Sequence, residues 1–363
     1  MKIAENTGKI DVINGLRGIA IVAVLYQHTI FSHYSKLLIH PYIVGNGWLG
    51  VNLFFILSGF VLYKPYFLQY RNFSSSADVL EFYKHRYLRI YPLFVFVCII
   101  SSIFLTKISP RTIRILFETL STFSMVDSKQ FFPDLNPVYW SLLLEIWFSI
   151  FFPLIFFSFS KYGFKRTTIF VFIVSFLFRF AGGFYTGFSA YNINPLKDCV
   201  FARIDDFVLG MLICKFFYEK NKVFAINNVL LIVFSIVFII AGCLVWDEVN
   251  NLGVFKEVMM AISNNFIQVG LFLLIIIALK PNNWVHRFFR IGFLQLLGMM
   301  CFSLYSWHIL ITRSFNFWNG FTILKMISFY AFTFIISALS YRYIEFGSEK
   351  DWRKLFNIKP RKV

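Results

Sequence analysis

The chain has 363 residues, 58% of them hydrophobic and only 15% charged. So few polar groups cannot cover a water-facing surface, which excludes a soluble globular protein and makes lipid the solvent for much of the molecule. The net charge of +17 would suit nucleic acid only if the cations formed one soluble face, and they are instead parcelled between long apolar runs.

A bilayer-crossing helix needs about 20 apolar residues. Runs of that kind lie near 16–34, 48–68, 88–107, 140–159, 165–183, 203–218, 227–246, 262–280, 294–314 and 321–345. The expected fold is therefore an all-α integral membrane protein with about ten transmembrane helices. The first run begins near Leu16 and reads as a span rather than a cleavable signal. The sixth is short and polar at its start, and segment 108–139 is too polar to span, with 112–126 placed at the interface or re-entering. No internal repeat or low-complexity linker divides the chain. One domain is expected over 1–363, with a core of 10–346 and a basic tail of 347–363.

Lys and Arg set the orientation. With the N-terminus inside, the inner flanks outweigh the outer ones by roughly three to one in basic residues, so both termini are expected to be cytoplasmic. Trp48, Trp140, Trp246, Trp284 and Trp318 fall at span ends, where an interfacial indole belongs. The five cysteines (Cys98, Cys199, Cys214, Cys243 and Cys301) show no CxxC pair and no metal-ligand spacing, so neither a disulfide framework nor a metal site is expected.

Ionisable residues inside spans are costly and mark candidate functional positions. Arg17 opens the first span and His28 follows eleven residues later, roughly 16 Å along the axis and on the same face. Asn52, Ser58 and Gly59 lie on the second span. Arg86 and Arg89, three residues apart before the third, form a fork suited to phosphate. Trp140, Ser141 and Glu145 open the fourth, Arg203 and Asp205 the sixth, His308 lies in the ninth, and Glu345 ends the tenth. Span directions then put His28, His308, Asn52, Glu145, Arg203 and Asp205 in the outer half, and Arg17, Arg86, Arg89 and Glu345 at the inner face. A basic anion site inside and a His/acid cluster outside suit a cytoplasmic phosphorylated donor whose group passes to an outer acceptor. Plainer uses stand beside these. Arg86 and Arg89 also serve as positive-inside anchors, a span His as a helix–helix hydrogen-bond partner, Glu145 as the counter-charge of Arg203 or Arg179, and Ser58 with Gly59 as packing.

At these residues the chain resembles the acyltransferase 3 family of bacterial membrane O-acyltransferases, over nearly its whole length. Leu16-Arg17-Gly18 through His28 is similar to the family's Arg-x10-His element, and Gly50-Val51-Asn52 through Phe60 to its second-helix signature. Arg86-Tyr87-Leu88-Arg89-Ile90-Tyr91-Pro92 resembles its RxxRIxP element. Trp140-Ser141-Leu142 with Glu145, Arg203-Ile204-Asp205-Asp206-Phe207 with Gly210, and Tyr305 to His308 resemble three more. Asn52 stands where many members carry Asp, and the last helix lacks the Pro that commonly closes it. The resemblance implies a multi-pass protein of the bacterial inner membrane, without the extracellular hydrolase-like domain fused in some relatives. It would move an acyl group, most often acetyl, from acyl-CoA to a sugar hydroxyl of a lipid-linked or cell-envelope glycan such as lipopolysaccharide O-antigen. His28, Glu145 and His308 would be catalytic. Arg17, Arg86 and Arg89 would hold the acetyl-CoA phosphates, and Asn52, Trp140, Ser141, Arg203 and Asp205 the acceptor. Its partners would be acyl-CoA, the glycan and membrane lipid, with no nucleic acid and no metal. An alcohol attacking a thioester needs a base, which neutral imidazole supplies near pH 7; direct transfer and a covalent acyl-His route are both open. The rival reading is a transporter or flippase of a lipid-linked sugar or small anion, which also needs polar groups in apolar spans.

Overall fold

The computed structural model describes residues 11–31, 45–104, 109–122, 131–186, 196–248, 255–314 and 322–345; Trp318 and the tail 347–363 lie outside them. The regular structure among the described residues is helical throughout. In chain order the α-helices are α1 (Asp11–Tyr26), α2 (Leu49–Phe67), α3 (Ser76–Phe104), α4 (Pro110–Leu120), α5 (Tyr139–Tyr162), α6 (Phe164–Thr186), α7 (Val200–Tyr218), α8 (Asn228–Glu248), α9 (Lys256–Leu279), α10 (Trp284–Phe289), α11 (Gly292–Met299), α12 (Cys301–Ser314) and α13 (Ile323–Ser340). α1 runs on into a π turn at Gln27–Phe31 and α13 into another at Tyr341–Glu345.

Local chemistry fixes several starts. Before α3, Asp78 accepts from the backbone N–H of Ser74 and Ser75, while Ser75 Oγ accepts from the Asp78 N–H, a reciprocal cap. Ser109 caps α4 with Pro110 behind it, Asn283 caps α10, and Thr322 caps α13.

The protein is an all-α membrane protein. Among the described residues, seven helices are long and apolar enough to cross a bilayer: α2, α3, α5, α6, α8, α9 and α13 with its π turn. The α11–α12 pair would make an eighth, bent by 72° where one straight span over 294–314 is expected from sequence. The two other expected spans, α1 and α7, do not meet that measure, and α7 carries Arg203, Asp205, Asp206 and Lys215 within one helix. The third span also differs from expectation. α3 begins at Ser76, not near residue 88, and its 29 residues reach about 43 Å. Arg86 and Arg89 thus sit inside a continuous helix rather than in its flank. The described part of 112–126 is α4, which buries Thr112, Ile115 and Thr119 and exposes Ile113 and Phe117.

α7 is the buried axis of the bundle, with nearly every residue from Val200 to Cys214 inside. It meets α2 backbone to backbone. A Cβ on Gly59 would lie 1.9 Å from the Phe207 carbonyl oxygen, and one on Gly210 1.8 Å from that of Ile56. With little hydrophobic drive between helices in lipid, such close approach is what packs them. α1 is seated on α11 in the same way, through Gly18 against Leu294 and Gly298 against Asn14. Phe207 stacks on Phe148 of α5 at 3.9 Å and on Phe55 of α2 at 4.8 Å, tying three helices together. α8 and α13 lie at the periphery and expose apolar side chains such as Val229, Val233, Ile327 and Ile335 to the lipid side.

Candidate active site

The pinned backbones of α1 and α2 face one cavity of 620 Å³. Its lining includes Val51 and Tyr66, fifteen residues apart on α2, so it extends about 22 Å along that helix. Arg71 and His85 lie at the Tyr66 end, where α2 finishes and α3 begins. Arg17, Arg86, Arg89, Glu145 and Glu345 line the middle. Phe54, Ser141 and Tyr305 lie towards the opposite end, with the starts of α2 and α5.

Arg86 is the best-anchored cation. Its Nη2 lies 2.8 Å from Glu145 Oε1 and its Nε donates to Ser149 Oγ at 3.1 Å. Ser58 Oγ donates to the same Glu145 oxygen at 3.2 Å. This settles two sequence-level expectations differently. Glu145 does not pair with Arg203 or Arg179, and it belongs to the arginine cluster rather than to an outer His/acid cluster, because the long Arg86 side chain on an extended α3 reaches it. Ser58 is a hydrogen-bond donor to that pair and not only a packing residue. Glu345, held by Ser303 Oγ at 2.9 Å, is the second carboxylate. Three guanidinium groups therefore face two carboxylates, and Arg71 adds a further cation at the mouth, leaving the cavity wall net positive.

The two histidines lie beyond the far end. His28 and His308 rings are 5.2 Å apart between centroids, and neither lines the cavity. His308 is buried, and its Nδ1 lies 2.7 Å from the Tyr305 carbonyl oxygen. A carbonyl only accepts, so Nδ1 carries the proton and Nε2 presents a lone pair. Among the described residues that buried Nε2 has no hydrogen-bond partner. His28, in the π turn after α1, is partly exposed; π turns recur at functional sites. The Tyr305 ring stands 5.6 Å from His308 and 6.4 Å from Phe54, between the pair and the cavity.

The remaining sequence-selected residues fall elsewhere. Trp140 packs among Phe55, Phe131 and Phe132, outside the cavity lining. Asn52, Arg203 and Asp205 enter a second, closed cluster between α2, α6, α7 and α9. There Asn52 Nδ2 donates to Asn264 Oδ1 at 2.5 Å, Arg203 donates to Asn264 and to Asp198 at 2.9 Å each, and Arg179 pairs with Asp205 at 2.8 Å. Arg179 also donates to the carbonyls of Ala202 and Ala261, and Gln268 to Asp206 at 3.0 Å. Lys197, 3.8 Å from Asp198, completes three cations against three carboxylates. In its connecting segment, burial holds the Lys197 ammonium below its usual pKa; Asp198 acts against that shift and Arg203 with it.

Sequence reading did not select Tyr305, Cys301 or Phe302 individually, and gave Glu345 a depth but no role. The cue for Glu345 was an acid closing an apolar run, and Tyr305 entered only as the first residue of the Tyr305 to His308 stretch; Cys301 and Phe302 carry no signal until α12 is bent against α1. Among the described residues no His, Cys, Asp and Glu group is placed to hold a metal ion.

The chain matches the model of an acyltransferase domain over residues 10–342. It is 24% identical over 382 residues to O-acetyltransferase OatA of Staphylococcus aureus (strain NCTC 8325 / PS 47), an alignment covering 96% of this chain and 59% of that protein. A second Staphylococcus aureus protein (strain COL), provisionally named an O-acetyltransferase, is 24% identical over 383 residues, covering 96% of this chain and 58% of the relative. The chain thus spans about three-fifths of the length of these curated relatives. No solved structure matches it.

Proposed function

The chain belongs to the acyltransferase 3 family, and from that premise we propose that it is a membrane O-acetyltransferase that takes acetyl from acetyl-CoA on the cytoplasmic side and delivers it to a sugar hydroxyl of a lipid-linked or cell-envelope glycan. The observation that carries this reading is a net-positive intramembrane cavity ending one aromatic ring short of a histidine pair. In this assignment both termini are cytoplasmic, which sets the Arg71 and His85 mouth towards the cytoplasm, in agreement with the excess of Lys and Arg in those flanks.

Arg17, Arg86 and Arg89 hold the phosphates of the donor, each by charge-assisted bonds. Glu145 holds Arg86 in place rather than assisting the base. The acceptor hydroxyl approaches from the other face and attacks the thioester carbonyl. A C–O bond forms, the C–S bond breaks, and the hydroxyl proton passes to His28 and on to the departing thiolate. The His308 ring, 5.2 Å from that of His28, packs against the base and limits how it can turn. Trp140, Asn52, Arg203 and Asp205 shape the framework around the acceptor rather than touching the donor.

The test is transfer from [14C]acetyl-CoA by the protein reconstituted with membranes of its host. The expected result is label in the glycan fraction, released by mild base as an ester. Label that stays in acetyl-CoA while a lipid-linked sugar crosses vesicles containing the protein would establish the transporter reading instead.

A further inference from the structure

The cavity does not reach the histidines, and what stops it is Tyr305. The phenol lies at the junction, lining the cavity on one side and standing 5.6 Å from the His308 ring on the other. It is not free to turn. Its hydroxyl donates to the Val138 carbonyl at 2.7 Å and lies 2.6 Å from Ser141 Oγ, so Ser141 donates to Tyr305 and Tyr305 donates to the backbone. The segment that carries Val138 is itself tied down. Asn136, two residues earlier, donates to the Ser306 carbonyl at 2.9 Å, tying the segment before α5 to α12. Phe54 faces the Tyr305 ring at 6.4 Å, edge to face. The end of the cavity is thus a rigid wall, made by one buried ring latched at its hydroxyl.

We infer that Tyr305 is a specificity-determining residue that sets the length of the acyl group the donor can carry. This rests on the proposed reading of the cavity as the acyl-CoA site. A donor anchored by its phosphates on Arg17, Arg86 and Arg89 points its thioester away from the mouth, towards Ser141 and Tyr305. A short acyl group stops at the ring, whereas each further methylene must displace a latched side chain. Buried side chains that cannot collapse transmit such steric cost directly. The Ser141 and Val138 contacts make Tyr305 a wall rather than a flexible filler, and removing the ring lengthens the cavity by about one phenol.

The experiment is competition of acetyl-, butyryl- and hexanoyl-CoA against labelled acetyl-CoA on the full chain in nanodiscs, which needs no acceptor. The ratio of affinities within one preparation is independent of the folded fraction. The wild type is expected to prefer acetyl-CoA to hexanoyl-CoA by at least several-fold. Tyr305→Ala reverses the order, because each methylene newly buried is worth roughly fourfold in affinity; with about two of the four extra methylenes seated where the ring was, hexanoyl-CoA then binds on the order of tenfold tighter than acetyl-CoA. Tyr305→Phe keeps the ring but frees it from Val138 and Ser141, and is expected to keep acetyl-CoA ahead of hexanoyl-CoA by a smaller margin than the wild type. Should Tyr305→Ala not fold, Tyr305→Val shows the same reversal in smaller degree. Binding of all three donors with an unchanged order in the alanine and valine variants overturns the wall while leaving the donor site intact. Failure of the wild type to bind any acyl-CoA overturns the donor site and the wall with it.

Discussion

Two groups of buried charges lie within one bundle and are built on opposite plans. The cluster between α2, α6, α7 and α9 sets Arg179, Arg203 and Lys197 against Asp198, Asp205 and Asp206, with Asn52, Asn264 and Gln268 bonded among them. The cluster around Arg86 sets three arginines against two carboxylates and opens onto a cavity. Charge taken out of water must be compensated, by a partner or by a ligand. The closed cluster is compensated within the protein and holds helices together. The open one leaves positive charge uncompensated, and under the proposed function the phosphates of the donor would supply what is missing.

The sharpest test of that contrast lies just past the open cluster. His28→Ala and His28→Gln are each expected to lower transfer by about 10²- to 10⁴-fold, the range for loss of a general base, with acyl-CoA affinity little changed. The Gln variant keeps hydrogen bonding but accepts no proton. Substantial transfer by His28→Gln, normalised to folded protein, would take the base role from His28.

In the closed cluster the loss should appear in folding instead. Arg179→Ala leaves Asp205 buried without its cation and is expected to cost about 3–5 kcal/mol of stability. Acyl-CoA affinity per folded molecule should stay unchanged. Size-exclusion yield and thermal melting measure the first quantity and ligand competition the second. A donor-binding defect in well-folded Arg179→Ala would erase the distinction between the clusters.

Arg86→Ala is expected to reverse that pattern, keeping the fold and weakening acyl-CoA binding by roughly ten- to a hundredfold, the loss of a charge-assisted contact worth about 1.5–3 kcal/mol. Arg86→Lys should recover only part, since a point charge does not replace a planar fork that serves Glu145 and Ser149 at once. Equal affinity in the alanine variant would reduce Arg86 to a topology anchor.

Smaller effects bound the comparison from below. Asn52→Ala removes one hydrogen bond to Asn264, which Arg203 still engages, and should cost about 1 kcal/mol in melting experiments with donor affinity intact. Glu219→Gln breaks an exposed pair with Lys215 at the end of α7 and should change stability by no more than about 0.5 kcal/mol. A larger effect there would mean that surface pairs, and not the closed cluster, carry the electrostatic stability.

Much of this molecule is legible in its residues taken in order. The apolar runs show an all-helical membrane protein because a helix satisfies its own backbone and needs only length and greasiness to cross lipid. The motifs at Arg17, Arg86, Trp140 and Tyr305 point to the family because each is local and carries its own spacing. The partnership of charges is not local. Arg86 finds Glu145 across 59 positions and Asn52 finds Asn264 across 212, so the sequence offers several equally plausible polar partners for each. Packing chose among them. Glycine contacts press α1 onto α11 and α2 onto α7, α3 extends far enough to carry Arg86 inside, and the bend before α12 turns Tyr305 into the end of a cavity. Sequence determined which residues had to be accounted for within the membrane; only the tertiary structure decided which were neutralised at home and which were left to bind.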